Sequence, residues 1–240
     1  MTDEGGILTN TIWAIQMPGF MLASGYFSAR SVENTHELSK RIVGSMQHYA
    51  LPFLSWWFLV SVLLLGGFDR NVLTAANHIA FHVDSGMWFL WVVFILSIIA
   101  NICNYISSRN TAYYAVKTAA AALVMLGMLG ILGILVGIRF IGIKFILYYS
   151  VFYGSGWLIR KTQDTWKRFI DKYSGLIAFV AIVCFSAIVF NYNLYHCEDN
   201  LISIALRCIA GFSGNIVLLW VADNYKEIFE RVRLDWIGLY

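Results

Sequence analysis

The chain has 240 residues, of which 59% are hydrophobic and only 13% are charged. A soluble domain carries about 25% charged residues, so the composition excludes an ordinary soluble fold and indicates an integral protein of a lipid bilayer. The formal net charge of +3 is small and gives no reason to expect a nucleic-acid partner.

Apolar residues fall in blocks of about 18 to 25, the length at which a helix crosses the hydrocarbon core of a bilayer. The spans must be helices, because backbone polar groups in lipid have to satisfy one another. We therefore predict an all-α fold, a polytopic transmembrane helical bundle that forms a single domain over residues 1–240. Seven complete spans are predicted, at about 11–29, 48–68, 86–106, 112–136, 139–159, 174–191 and 201–222.

Lysine and arginine gather on the cytoplasmic side of membrane proteins, which orients the bundle. With loop 30–47 inside, alternation of the spans places thirteen basic residues inside and three outside. The inside group is Arg30, Lys40, Arg41, Arg109, Lys117, Arg160, Lys161, Lys167, Arg168, Lys172, Lys226, Arg231 and Arg233. The outside group is Arg70, Arg139 and Lys144. This asymmetry supports both the number of spans and their orientation.

Both ends of the chain predict an incomplete bundle. The first residues, MTDEGGILTN, are acidic and lack the basic region of a signal peptide, yet the charge asymmetry places them outside. At the other end, RVRLDWIGLY begins a new apolar segment at Trp236 that stops after five residues. We therefore expect a further span before residue 1 and read the last residues as the start of an eighth.

Cysteine and histidine positions predict no metal site. Three of the four cysteines lie inside predicted spans, and the spacing of a zinc site is absent. His78 and His82 are four residues apart in the external loop, with Asp84 after them, but two ligands without a third are weak evidence for zinc. An ordinary polar loop is favoured, and handling of an external acceptor is the alternative.

Arg207 lies about seven residues into the 201–222 span, too deep to reach the outer surface easily. A charge at that depth is costly, so a role with an anionic ligand or in catalysis is one interpretation. A structural ion pair or a snorkelling side chain is the other.

The segment LGMLGILGILVG places Gly127, Gly130, Gly133 and Gly137 along one helix. Small residues at this spacing allow two helices to approach closely in lipid, so a packing face is favoured over a substrate groove.

Two further features are open at this point. Pro18 removes a backbone donor and bends its helix, and Gln16 beside it is able to hydrogen-bond across helices. Lys40, Arg41 and His48 form a basic group before the second span, which would suit phosphates or reflect topology alone. The basic stretch 160–173 is explained by topology and by attraction to anionic lipid.

The segment IQMPGFMLASGYF resembles the second span of the large membrane acyltransferase family that includes fucose 4-O-acetylase-like proteins and polysaccharide O-acetyltransferases. The family pattern there is Phe-His-Met-Pro-Leu-Phe, followed by Phe-x-Ser-Gly-Tyr or Phe-x-Ser-Gly-Phe. The matching residues are Met17, Pro18, Phe20, Ser24, Gly25 and Tyr26. Gln16 stands where the histidine is common.

Further segments follow in family order, so the resemblance covers essentially the whole chain. QHYALPFLSWW resembles the start of the third family span, with Pro52 matching and His48 where an arginine is usual. DSGMWFLWVVFIL resembles the Leu-Trp-Phe-Leu segment through Trp88, and LYYSVFYGSGWLI resembles the Phe-Phe-x-x-Gly span. LDWIGLY is similar to the beginning of the last family segment.

The resemblance implies a bacterial inner-membrane O-acyltransferase. Its donor would be cytoplasmic acyl-CoA, usually acetyl-CoA, without a metal, and its acceptor would be a hydroxyl of a cell-surface carbohydrate. Gln16, Pro18, Ser24, Tyr26 and Trp88 would line the site, and Lys40, Arg41 and His48 would bind the donor's phosphates. Arg207 would lie near the donor or the oxyanion.

The catalytic base of this family is thought to be a histidine in the span that precedes the IQMPGF segment. Gln16 cannot replace it, because an amide does not titrate. Acyl transfer by residues 1–240 is therefore not expected unless a further span supplies that histidine.

Two alternatives to the enzyme remain. A surface-polysaccharide exporter or flippase would need an aromatic-lined path but no acyl donor. Trp56, Trp57, Trp88 and Trp91 would stack on sugars in that case, although anchoring at the membrane interface is the commoner reason for tryptophan near span ends. An inactive fragment is the other alternative.

Overall fold

The structure is a computed structural model that describes residues 6–63, 87–108, 113–192, 194 and 200–224. The loop residues His78, His82 and Asp84, and the predicted start of an eighth span at Trp236, lie outside the described residues.

Seven α-helices occur in the described part of the chain, and no strand occurs there, so the all-α prediction is confirmed. The helices are α1 (Ile7–Ser28), α2 (Thr35–Ser45), α3 (Leu51–Leu63), α4 (Trp88–Ser108), α5 (Tyr114–Val136), α6 (Ile143–Asn191) and α7 (Leu201–Asn224). A π-helical turn, Met46–Ala50, joins α2 to α3, and a 3₁₀ turn, Phe140–Gly142, precedes α6.

Four helical stretches in the described residues are long and apolar enough to cross a membrane, by length and composition alone: Trp88–Ser107, Tyr114–Val136, Lys172–Asn191 and Leu201–Asn224. They coincide with four of the predicted spans. Seven complete spans are not found among the described residues, although the 22-residue helix α1 covers most of the first predicted span. Its Thr, Asn, Gln and Ser side chains lower its hydropathy.

The predicted loop 160–173 is wrong, because α6 continues through it as one helix of 49 residues. The stretch contains no proline or glycine after Trp157 until Gly175, and it is rich in Arg, Lys, Gln and Asp. These residues tolerate a helix well, and nothing in the sequence removes a backbone donor. The prediction of a loop at 160–173 relied on charge content alone, and charged residues also occur on exposed parts of a helix.

The predicted loop 30–47 also contains a helix, α2. Asn34 caps it, accepting from the Glu37 backbone N–H at 2.8 Å. Asn34 and Glu37 are three residues apart, the spacing of a capping box. The π-helical turn that follows precedes Pro52, which has no backbone N–H, and the Leu51 N–H reaches back to the Met46 carbonyl.

The described residues belong to two compact units. Unit 2, Met21–Lys161, contains the C-terminal part of α1, helices α2 to α5 and the first part of α6. Helix α4 is its centre, packing against α2 and α5, with half of its span buried. Residues of α4 and α6 dominate its core: Val92, Val93, Leu96, Cys103, Ile143, Ile146 and Phe152.

Unit 1, Met1–Phe20 and Thr162–Tyr240, contains the start of α1, the rest of α6 and α7. Its core cluster joins Ala14, Ile188, Val189, Leu194 and Ala210. Asn10 of α1 contacts two residues that follow α6. It donates to the Tyr192 carbonyl at 2.7 Å and accepts from the Leu194 N–H at 2.9 Å.

The glycine stripe of α5 forms a packing face only at its C-terminal end. A Cβ on Gly133 would lie 3.1 Å from the Ile143 side chain, whereas a Cβ on Gly127 would meet no atom within 4 Å. Gly137 ends the helix with a φ of 118°, a conformation that favours glycine. Only 6% of the α5 span is buried, so most of this helix presents apolar side chains outward, as a lipid-facing helix does.

Candidate functional site

A hydrogen-bonded group joins four helices at one end of unit 2. Asn104, near the C-terminal end of α4, is completely buried and donates from Nδ2 to the Ser28 carbonyl at 3.3 Å. Its Oδ1 accepts from the Tyr114 hydroxyl at 2.8 Å and from Trp157 Nε1 at 3.2 Å. Asn104 therefore ties α4 to α1, α5 and α6.

Two consecutive cations of α6 lie on aromatic rings beside this group. Arg160 donates to the Tyr26 hydroxyl at 2.9 Å, and its guanidinium lies 5.0 Å from the centre of that ring. Lys161 Nζ lies 4.6 Å from the Tyr114 ring centre and 5.9 Å from that of Trp157. Rings at these distances attract a cation through their electron-rich faces. We call Tyr26, Asn104, Tyr114, Trp157, Arg160 and Lys161 the basic–aromatic cluster.

Polar side chains of α4 continue from this cluster into the interior of unit 2. Ser97, Asn101, Asn104 and Ser107 are buried, and their spacing of three or four residues places them on one side of the helix. Ser97 shares a hydrogen bond with Ser45 at 2.7 Å. The Ser107 hydroxyl is 1% exposed and has no hydrogen-bond partner among the described residues. Buried polar groups in a span are functional hypotheses by default.

The contacts of the cluster bring three predicted cytoplasmic regions to the same end of unit 2. They join the end of α1 to Arg160 and Asn104, and they join Asn104 to the start of α5. The C-terminal ends of α1 and α4 and the Arg160 region of α6 therefore lie at the same end of unit 2. That this end faces the cytoplasm stays a prediction.

Arg41 braces the segment between α1 and α2. Its guanidinium donates to the carbonyls of Arg30 at 3.1 Å and Ser31 at 2.8 Å and pairs with Glu37. The hydrogen bond from the Glu33 N–H lowers the pKa of Glu37, and the Arg41 guanidinium lowers it further. The predicted phosphate ligand Arg41 is thus held in a structural network, and a direct role with the donor stays a prediction.

This brace should loosen in acid. Because the folded-state pKa of Glu37 is depressed, its contribution is present above the unfolded pKa and is lost as pH falls through the folded pKa. We expect hydrogen exchange at the Glu33 amide to be faster in Glu37→Gln than in the parent protein near pH 6, and the two rates to converge as pH falls through the depressed folded-state pKa of Glu37. Glu33→Gln, the same charge change on an exposed side chain, is the control. Equal exchange near pH 6 would show that the brace does not hold the segment.

The other residues predicted to bind donor phosphates are more open. Lys40 and His48 are exposed, on α2 and in the π-helical turn. Of the predicted lining residues in unit 2, Ser24 and Tyr26 are half-buried, and only Tyr26 belongs to the basic–aromatic cluster. The roles of Lys40, His48 and Ser24 stay predictions.

Trp88 is buried at the opposite end of α4 among aromatic side chains of α6. Its ring stacks on Phe145 at 4.8 Å and lies 5.3 Å from Tyr149. Trp91 donates from Nε1 to the Ile141 carbonyl at 3.1 Å. These contacts give Trp88 and Trp91 packing roles, and a lining or sugar-stacking role stays a prediction.

Gln16 and Pro18 of α1 lie in unit 1. Pro18 is buried, whereas Gln16 is exposed. A cross-helix amide does reach α1 near Pro18, but it belongs to Asn215 of α7, which donates to the Ile15 carbonyl at 3.1 Å. A Cβ on Gly19 would lie 2.2 Å from Asn215 Oδ1, so a side chain at residue 19 would displace the Asn215 amide. Within unit 1, the α1 backbone near Pro18 is therefore in direct contact with α7.

Arg207 lies on α7 in unit 1 and is half-buried, one turn before the buried Ala210. Its side chain has interaction partners in the structure. Neither a catalytic role nor a ligand for it is tested by this placement, so both stay predictions.

The comparison with known families decides the class of protein. A family model described as an acyltransferase domain matches residues 5–239. The chain belongs to the acyltransferase-domain family. Comparisons with curated proteins and with solved structures found no match. The family resemblance of the sequence motifs is thus confirmed at the level of an acyltransferase domain. The fucose or polysaccharide O-acetyltransferase type stays a prediction.

Within this acyltransferase domain, the polar interior of unit 2 was missed by sequence reasoning. A signal was present, because FILSIIANICNYISS carries Ser97, Asn101 and Asn104 inside the predicted span 86–106, with Ser107 at the same helical spacing directly after it. Among the described residues, no three His, Cys, Asp or Glu side chains come together as metal ligands would. The arrangement offers hydroxyls, amides and cations, which suit the binding of a polar or anionic substrate of the acyltransferase domain.

Proposed function

We propose that this chain is a membrane O-acyltransferase that moves an acyl group, in the simplest case acetyl, from cytoplasmic acyl-CoA to a hydroxyl of a cell-surface carbohydrate in a bacterial inner membrane. The observation that carries the proposal is the match of an acyltransferase domain to residues 5–239. The resemblance of IQMPGFMLASGYF and the following motifs supports the carbohydrate acceptor. The asymmetric loop charges support a cytoplasmic donor.

The chemistry needs a base for the acceptor hydroxyl and donors for the oxyanion that forms as the hydroxyl oxygen attacks the thioester carbonyl. Coenzyme A thiolate then leaves as the tetrahedral intermediate collapses. Gln16 cannot be this base, because an amide does not titrate. Arg207, a cation in a predicted span, is the candidate for oxyanion stabilisation.

The test uses inside-out membrane vesicles that contain the natively expressed protein, supplied with acetyl-CoA labelled in its acetyl group. We expect label to enter vesicle carbohydrate as a base-labile ester, because an O-acetyl ester is cleaved by mild alkali. Vesicles without the protein are the control. Unmodified carbohydrate moved across the membrane without consumption of acetyl-CoA would favour an exporter instead. No labelling and no movement would identify an inactive chain.

A further inference from the structure

Arg160 and Lys161 are consecutive cations of α6, and each lies over a tyrosine ring. Arg160 is held by the Tyr26 hydroxyl, and Lys161 lies over the Tyr114 ring. From the sequence, topology and attraction to anionic lipid explain the 160–173 charges, but neither explanation predicts that the two cations lie on aromatic rings.

The positive charge of Lys161 is not neutralised by a neighbour in the described residues. No carboxylate there lies within ion-pairing distance of its Nζ, and Glu37 is already paired with Arg41. Lys161 is half-buried, and its pKa is lowered by burial and by the adjacent Arg160. A bound anion would relieve both effects, because it compensates the desolvated charge and screens the like charges.

The hydrogen-bonding capacity of the pair suits a phosphate more than a neutral sugar. A guanidinium presents five donors in a planar fork and an ammonium presents three, so together they are able to hold several oxygens of one phosphate. Of the two substrates in the proposed reaction, the acyl-CoA donor carries phosphates by its own chemistry. The hydroxyl group of the acceptor gives no reason for two adjacent cations.

The rings below the cations are themselves fixed. Asn104 accepts hydrogen bonds from both Tyr114 and Trp157, the two rings that face Lys161. The buried Asn104 amide therefore fixes the orientation of the two rings that Lys161 contacts. This preorganisation reduces the conformational entropy lost when a ligand binds.

We propose that Arg160 and Lys161, seated on Tyr26 and Tyr114, form a binding site for a phosphate group. This inference rests on the proposed function for its source, which is then the phosphates of the acyl-CoA donor. An anionic lipid headgroup offers the same chemistry at a membrane surface, and the experiment separates the two sources.

The test measures binding of coenzyme A and of pantetheine, which lacks phosphate, to the purified full chain in nanodiscs of neutral lipid. Lys161→Met keeps an unbranched side chain of similar length over the rings and removes only the charge. We expect it to weaken coenzyme A binding about tenfold and to leave pantetheine binding unchanged, since one charge-assisted contact is lost. Lys161→Arg should restore most of the affinity.

Lys117→Met is the matched control, because Lys117 is exposed on α5 about one turn from Tyr114 and lies outside the cluster. It should bind coenzyme A as the parent protein does. An equal loss in Lys117→Met and Lys161→Met would indicate a general charge effect and overturn the site. So would an equal loss for coenzyme A and pantetheine, which would indicate a structural defect.

A second arm uses nanodiscs with anionic lipid and counts the lipid molecules retained by the protein. If coenzyme A does not bind but Lys161→Met loses retained anionic lipid, the phosphate belongs to a headgroup. If neither ligand depends on Lys161, the site is overturned. Lysine-dependent coenzyme A binding without acyl transfer would refute the proposed function alone. Acyl transfer with an unchanged KM for acetyl-CoA in Lys161→Met would refute the site alone.

Discussion

Gly156→Ala should be among the most destabilising single substitutions in unit 2, because α1 and α6 cross in contact at this residue. A Cβ on Gly156 would lie 2.0 Å from the Leu22 carbonyl oxygen and 3.0 Å from the Tyr26 nitrogen. Both are backbone atoms, so no side-chain rotation relieves the overlap and the helices must separate. Overpacking costs about 1–3 kcal/mol where side chains adjust, so we expect about 3 kcal/mol or more here.

Gly154→Ala provides the matched control, two residues away on the same helix. A Cβ there would meet no atom within 4 Å, and alanine is a better helix former than glycine by up to about 1 kcal/mol. Unfolding of the purified proteins in one lipid nanodisc composition should therefore show a large loss for Gly156→Ala and none for Gly154→Ala. Gly25→Ala should resemble Gly156→Ala, because its Cβ would lie 1.9 Å from the Tyr153 carbonyl oxygen. Similar stabilities of the 154 and 156 variants would show that the two helices do not cross as described.

The glycines show where sequence reasoning reached its limit. Spacing pointed to the α5 stripe, because small residues four apart allow close approach in lipid. In the structure, a Cβ added at Gly127 would meet no atom within 4 Å. The tight crossing is made instead by Gly25 of α1 and Gly156 of α6. A crossing joins residues from distant parts of the chain, and a single sequence holds no information on which two helices meet.

Local sequence patterns were more informative about individual helices than about which helices contact one another. Four stretches of span length were predictable, since a run of apolar residues has few other uses. The capping box at Asn34 and Glu37 marked the start of α2, and the absence of proline after Trp157 was compatible with the long α6. Both were overlooked because charged residues between apolar blocks were interpreted as loops.

The site was only partly predictable for the same reason. Tyr26 was selected from its motif, and the structure places it in the basic–aromatic cluster. Arg160 and Lys161 could not be distinguished from other basic residues by sequence, because their difference lies in the rings of α1 and α5 beneath them. Arg41 was selected as a phosphate ligand, yet its contacts with Arg30 and Ser31 carbonyls are those of a structural brace.

Asn104→Leu should produce the second large effect, because one buried amide serves three helices besides its own. Leucine has a similar volume, so packing is retained while the Tyr114 hydroxyl and Trp157 Nε1 lose their common acceptor. A buried donor without a partner costs about 1–3 kcal/mol, and hydrogen bonds between membrane helices contribute about 0.6 kcal/mol on average. We therefore expect a loss of about 2–4 kcal/mol of unfolding free energy in nanodiscs.

A double-mutant cycle with Tyr114→Phe separates this network from general damage. If the Tyr114 hydroxyl donates to Asn104, removing that hydroxyl first should lower the cost of Asn104→Leu, since fewer donors are then left unpaired. Asn191→Leu is the control, because Asn191 is exposed and its side chain donates to the Ala187 carbonyl of its own helix. Additive effects of the Asn104 and Tyr114 substitutions would contradict the hydrogen bond between them. Since Tyr114 and Trp157 carry the rings under Lys161, a coupled result would also identify Asn104 as the residue that positions the cation of the basic–aromatic cluster.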